Sequence, residues 1–247
     1  MNESFHLEPG LPPITLIRRK NQRTMRIRVN SDRVIVSGPA NVSMNRLIDF
    51  VREKSEWIQK SCERRKQRTE QLELLRKKYE GTLLLRGERK PVYTFPVPGI
   101  RKSRLVEHNH AIVYQFHPSK IRYDHDGVLF PEPEDIHTFY LNVAKKDLTS
   151  RFAYWSDRIP LQPGKLSIRN QKTKWGSCSR RGTISLNWRL VKCPQTIMDY
   201  IIIHELCHIR HFNHSRAFWK TVAQYYPNVS QARSWIRRRT DEIFSDF

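Results

Sequence analysis

A chain of 247 residues, 38% apolar and with six tryptophans, can bury one large core or two small ones. It contains no apolar run of the ~18 residues a membrane helix needs, and its opening, Met1 to Gly10, lacks the basic-then-apolar pattern of a secretory signal; a cytoplasmic protein without a membrane partner is expected. The formal net charge of +21 is spread over clusters such as Arg18-Arg19-Lys20, Arg64-Arg65-Lys66, Arg76-Lys77-Lys78 and Arg237-Arg238-Arg239, a balance that favours polyanions, nucleic acid first among them.

After about a dozen leader residues, Ile14 to Val36 reads as β. Met25, Ile27 and Val29 alternate with Arg26 and Arg28, the period of a strand with one wet face. Asn30-Ser31-Asp32 is a turn cluster, Val34-Ile35-Val36 the return strand, and Gly38-Pro39 its expected break. Ser43 is placed to cap a helix carrying Leu47, Ile48, Val51 and Ile58 on its apolar face, with Trp57 alongside. The charged stretch from Cys62 to Lys78 reads as a frayed helical linker, and Gly81 to Phe95 as strand interrupted at Gly87. Between Pro96 and Pro133, prolines and Gly127 separate short β-like runs such as Ala111 to Phe116. From Asp135 the period becomes helical, with Ile136, Phe139, Tyr140, Val143, Leu148, Phe152 and Trp155 forming a stripe. Two strands are expected at Lys165 to Arg169 and Thr183 to Asn187, then helices at Gln195 to His211, Ser215 to Tyr225 and Ser230 to Ile243.

The chemistry concentrates in His204-Glu205-Leu206-Cys207-His208, preceded by Ile201-Ile202-Ile203. Residues four apart on a helix share a face, so His204 and His208 can present two imidazoles to one ion. Glu205 is turned away from that pair and suits a general base acting on the ion's bound water. Zinc fits such neutral nitrogen ligands and needs no redox chemistry. Burying two histidines and a carboxylate without a partner would be costly, and metal binding removes that cost. Two residues compete for the third ligand position. His211 would approach from the side of a continuing helix, whereas His214 requires the chain to turn; Asn213 tolerates the left-handed conformation that such a turn uses, and Ser215 can cap the next helix, which favours His214. The four cysteines, Cys62, Cys178, Cys193 and Cys207, form no C-x-x-C pair, which argues against a zinc ribbon and leaves free thiols. Cys207 reads as a small buried residue. Phe218, Trp219 and Trp235 read as core that closes the terminal helices over the site. Trp175-Gly176-Ser177 is read equally as a strand edge on which a peptide substrate could add, Gly176 permitting close approach, or as a turn burying Trp175. Tyr200, one turn before His204, is a candidate hydrogen-bond donor behind the ligands, though a core tyrosine fits its apolar neighbours better. Asn187 either orients a ligand or caps a strand end.

Taken in order, Trp175-Gly176-Ser177-Cys178-Ser179, Ile184 to Leu190, Pro194, Asp199-Tyr200, His204 to His208, Asn213-His214-Ser215 and Phe218-Trp219 resemble the YgjP-like metallopeptidase family, relatives of the SprT and WLM zinc proteases. The likeness runs through Trp155 to Trp235 and again from Arg18 to Trp57-Ile58, and is not matched over Pro96 to Pro133. It implies an α+β protein: a β-rich half with a helical linker over 1–134, and a zincin-like catalytic half over 135–247 with the H-E-x-x-H helix and a small antiparallel sheet. It also implies zinc held by His204, His208 and His214, with Glu205 catalytic. The expected activity is therefore a zinc-dependent peptidase using a Glu-activated zinc-bound water on a protein or peptide substrate. The positive charge keeps two alternatives: a metal-dependent nucleoside triphosphate hydrolase, a chemistry linked to some relatives, and a basic nucleic-acid-associated module whose zinc is structural. Against the former, the sequence has no Walker loop; the latter would require a fourth protein ligand, with Cys178 and Cys207 as candidates.

Overall fold

A computed structural model describes residues 3–5, 12–30, 33–120 and 130–245. Most of the leader, Ser31 and Asp32 of the expected turn, and Gly127 lie outside the described residues. The chain divides into two compact units, Met1–Lys78 and Tyr79–Phe247, an α+β arrangement in which sheets dominate the first half and helices the second.

In the first unit, strands β1 (Glu3–Phe5), β2 (Ile14–Arg19), β3 (Arg26–Val29) and β4 (Val34–Pro39) form a sheet ordered β1-β2-β4-β3, parallel only between β2 and β4. Alternation places Ile14, Leu16, Val34 and Val36 on the buried face while Arg26 and Arg28 face solvent. The strand continues through Gly38-Pro39 instead of breaking there, because Gly38 pairs with Arg18. A side chain on Gly38 would meet Leu47 Cδ2 at 2.8 Å, so its bareness seats the following helix. That helix, α1 (Met44–Glu53), is capped by Ser43, whose Oγ accepts from the Arg46 N–H at 3.2 Å. Leu47 and Val51 are buried, as the apolar spacing requires, but Trp57 stands 49% exposed. The expected linker is a continuous helix, α2 (Ser55–Lys78), which turns Ile58 into the core and donates from Arg65 Nη1 to Val29 O at 2.9 Å.

The second unit begins with β5 (Thr82–Leu85), β6 (Glu88–Pro96), β7 (Arg104–His108) and β8 (Ala111–Phe116), ordered β5-β6-β8-β7. Gly87 is a turn, with φ of 50° at Arg86 and 89° at Gly87, both in the left-handed region that two-residue hairpins need. Its absent side chain also admits Pro194, whose Cγ would lie 2.6 Å from an added Cβ. The backbone N–H groups of Arg86 and Gly87 donate to Val191 and Lys192 at 2.7 and 3.0 Å. Helix α3 (Pro133–Arg158) starts with a proline in its first turn and donates from Tyr140 Oη to Leu84 O at 2.8 Å. These ties bind β5–β8 into the same core as the C-terminal helices, so the compact units part at 78/79 and the boundary expected at 134/135 falls inside the second one.

Strands β9 (Leu166–Arg169), β10 (Gly176–Cys178) and β11 (Ile184–Asn187) make a small sheet ordered β10-β11-β9. It is mixed: β10 runs antiparallel to β11, but β9 runs parallel to it, so the wholly antiparallel sheet expected from sequence is corrected. A 3-10 turn at Trp188–Lys192 leads into α4 (Gln195–Cys207), followed by α5 (Arg216–Tyr225) and α6 (Val229–Phe244). Helix α4 is buried almost all round, and is tied to α3 by the bidentate pair of Arg151 with Asp199, both contacts 2.7 Å.

Candidate metal centre

Helix α4 ends at Cys207, earlier than the expected His211. His208 remains near helical geometry at φ −66° and ψ −18°, so it keeps the face it shares with His204. The chain then leaves the helix through bonds from the Ile209 and Arg210 N–H groups to Leu206 and Cys207. The departure therefore starts at His208, and Asn213 is not among the described residues with positive φ; the turn that brings His214 back is made without the left-handed asparagine expected. Ser215 does cap α5, accepting from the Phe218 N–H at 3.3 Å.

The ligand atoms of His204, His208 and His214 all lie within 4.8 Å of one another. Their ring centroids are 4.9, 5.0 and 4.8 Å apart, close to an equilateral triangle. The fully buried Phe218 ring touches all three imidazoles at 4.9, 4.6 and 4.9 Å, making an apolar floor. Trp219 stacks on His214 at 5.5 Å and 22°. Nδ1 of His208 lies 2.9 Å from the His211 carbonyl oxygen. A carbonyl can only accept, so Nδ1 carries the proton and Nε2 keeps its lone pair for the centre. The His211 ring is engaged elsewhere, with Nε2 3.2 Å from Thr221 Oγ1. Burial, then repulsion from His208, His214 and Arg233, drives His204 down to about 3; the same causes, without the His214 contribution, lower His214. Both imidazoles are therefore neutral and able to ligate at ordinary pH.

This donor set fits a zinc ion. Two nitrogens each ~2.05 Å from one tetrahedral ion would lie ~3.3 Å apart, and Nε2 of His204 and of His214 face each other at 3.1 Å. Neither Cys207, whose thiol is buried, nor Cys178 joins the group. Among the described residues the group holds three histidines and no fourth ligand.

Glu205 is 6% exposed, and burial pushes its carboxyl up to about 8, with Lys174 drawing it down. The carboxyl lies on Gly176: an added Cβ there would meet Glu205 Cγ at 2.7 Å and Oε1 at 2.8 Å. Gly176 and Ser177 stand on β10, an edge of the small sheet, while Trp175 both packs against Phe244 at 4.8 Å and lines a cleft beside the histidines. Asn187 holds the loop before β10, donating from Nδ2 to Gln171 O at 2.7 Å and Lys174 O at 2.8 Å, and its Oδ1 caps the 3-10 turn. Tyr200 lies 6.0 Å ring to ring from His204 and 5.3 Å from Tyr226, and among the described residues no hydrogen bond joins it to His204. The cleft, about 540 Å³, is also lined by Trp219, Arg233 and Arg237; from sequence Arg237 figured only in a basic cluster and Arg233 not at all. Their i, i+4 spacing was the available signal, hidden among the other arginines of α6.

A family model described as YgjP-like, metallopeptidase domain, matches residues 23–239. Among solved structures, the metallopeptidase zymogen of Pyrococcus abyssi abylysin is similar at 26% identity and a TM-score of 0.35, over 37% of this chain and 93% of that one. The zymogen of Methanocaldococcus jannaschii jannalysin is similar at 23% identity and a TM-score of 0.30, over 41% and 96%. No curated protein matches the sequence.

Proposed function

Since the chain belongs to the YgjP-like metallopeptidase family, and is thus a hydrolase of the metallopeptidase kind, we propose that His204, His208 and His214 hold a catalytic zinc ion and that Glu205 is the general base of a peptidase. The convergence of three imidazoles with no fourth protein ligand among the described residues supports this reading, because a structural zinc site is closed by four. When bound, zinc would acidify a water and polarise the scissile carbonyl. Glu205 takes the water's proton on a carboxylate oxygen and returns it to the departing amine nitrogen. A cation beside it would offset the burial that raises its pKa, keeping the carboxylate ionised for that task. Phe218 excludes solvent beneath the imidazoles, and the His211 carbonyl holds the His208 tautomer. The edge of β10, which no other described strand pairs, offers backbone groups to an extended peptide, which makes Gly176 and Ser177 substrate-side residues.

Glu205→Gln should retain one zinc per chain while peptide hydrolysis falls ~10²–10⁴-fold. His214→Ala should lose the metal and His211→Ala should keep it, both read by metal analysis after dialysis. Full activity in Glu205→Gln, or tight zinc in His214→Ala, would sink the assignment.

A further inference from the structure

Arg233 and Arg237 sit one turn apart on α6 and face the cleft that His204 and His214 also line. The Arg233 guanidinium lies 4.8 Å from the Trp219 ring centroid, and that same indole stacks on His214. A planar cation stacked on an indole is held in orientation before any ligand arrives. Elsewhere in this unit, cations next to packed surfaces are matched by carboxylates: Arg151 with Asp199, Arg86 with Asp147, and both Arg89 and Arg239 with Glu242. Arg233 and Arg237 have no such partner among the described residues. The remaining cleft wall is aromatic and aliphatic, with Trp175, Tyr200 and Ile236. A cation held on an indole, with a second cation one turn away on the same apolar wall, suits one anionic group attached to a larger apolar or extended ligand.

Building on the peptidase reading, we propose that Arg233 and Arg237 form a carboxylate subsite, selecting peptides that carry an acidic side chain or a free C-terminal carboxylate next to the cleaved bond. Two single-charge forks suit one carboxylate. A polyphosphate is commonly cradled by backbone N–H groups of a glycine-rich loop, and among the described residues no such loop lines this cleft.

The test uses full-length, zinc-loaded protein and matched ten-residue peptides that differ only in Glu against Gln, or in a free against an amidated C-terminus. Cleavage of the acidic member should exceed that of its neutral partner by about tenfold or more. Arg233→Gln and Arg237→Gln should bring that ratio close to one, and Arg233→Lys should restore part of it. The Glu and C-terminal pairs distinguish the two sources of the carboxylate. Binding of the same peptides to zinc-loaded Glu205→Gln, followed by tryptophan fluorescence, should show the same order without turnover. If wild-type protein cleaves no peptide, the peptidase reading fails, while the binding ratio still decides the subsite. Equal binding of acidic and neutral peptides, an undiminished preference in both correctly folded glutamine variants, or tighter binding of a nucleoside triphosphate than of any peptide would overturn the proposal.

Discussion

A methyl group on Gly176 would stand 2.7 Å from Glu205 Cγ and 2.9 Å from Cδ, closer than real side-chain contacts allow. The catalytic carboxyl proposed here therefore owes its position to a missing side chain on another element. Gly176→Ala should push the Glu205 carboxyl aside, lowering kcat about 10²-fold, the scale of a ~1 Å misplacement. Overpacking should also cost about 1–3 kcal/mol of stability. Zinc content should not change, since the three atoms nearest an added Cβ all belong to Glu205; loss of zinc together with activity would show that the glycine serves the fold instead. At this scale the sequence was informative where chemistry is local. His204 and His208 could be paired from spacing alone, and Ser215 was legible as a cap because a cap acts within three residues. The contact of Gly176 with Glu205 was not legible, because nothing in either segment's own pattern refers to the other.

Among elements, the β5–β6 hairpin, β7 and α3 are joined by a charged cluster. Glu107 accepts from Arg86 Nη1 and Lys90 Nζ, both at 2.6 Å, and Arg86 Nε donates to Asp147 at 2.7 Å. Lys90 is buried, so it relies on Glu107 and on the Asn109 carbonyl. Burial alone would raise the Glu107 carboxyl, but the bonds from Lys90 and Arg86 outweigh it and hold the group below its ordinary value of 4.5. A carboxylate depressed in the folded state contributes stability that is complete above its unfolded pKa and disappears as pH falls through the folded one. Glu107→Gln should thus destabilise the protein by about 1–2 kcal/mol at pH 7, a figure kept low because Arg86 is partly open to solvent. In urea unfolding the gap between variant and wild type should close as pH drops below 4.5; a gap that is constant with pH would remove the ionic explanation. Arg86, Lys90 and Asp147 belong to a hairpin and a helix that sequence periodicity located, with Gly87 marking the turn, whereas the strand of Glu107 lies in the stretch from Pro96 to Pro133 where it was not singled out; periodicity describes one element at a time and so left the pairing open. The same limit explains α2: its charge suggested fraying, while its first turn is anchored by Ile58 and its middle by Arg65 on Val29 O.

At the scale of the whole molecule, the described residues form two hydrophobic cores that share no residue. One runs from Ile14 to Ile58 and the other from Leu83 to Ile243, and the second contains α4 with Phe218 and the floor of the histidine site. A fragment spanning 79–247 should therefore fold cooperatively and bind one zinc, read by a single calorimetric transition that rises with added metal. A fragment without a cooperative transition would show that the second core depends on the first unit. The family match crosses both units, from 23 to 239, so the fragment separates what the site needs from what the family retains. Most helices and strands, the histidine pair and the Ser215 cap that follows the third histidine were legible in the sequence, because helix and strand periods and caps are properties of neighbouring residues. The tertiary structure alone decided that β5–β8 join the C-terminal core, that the small sheet is mixed, that His211 gives its carbonyl to His208, that Gly176 lies against Glu205, and that Arg233 and Arg237 line the cleft. Each of these depends on which distant segments meet, and that is set by how whole faces bury against one another, a property no single stretch of sequence carries.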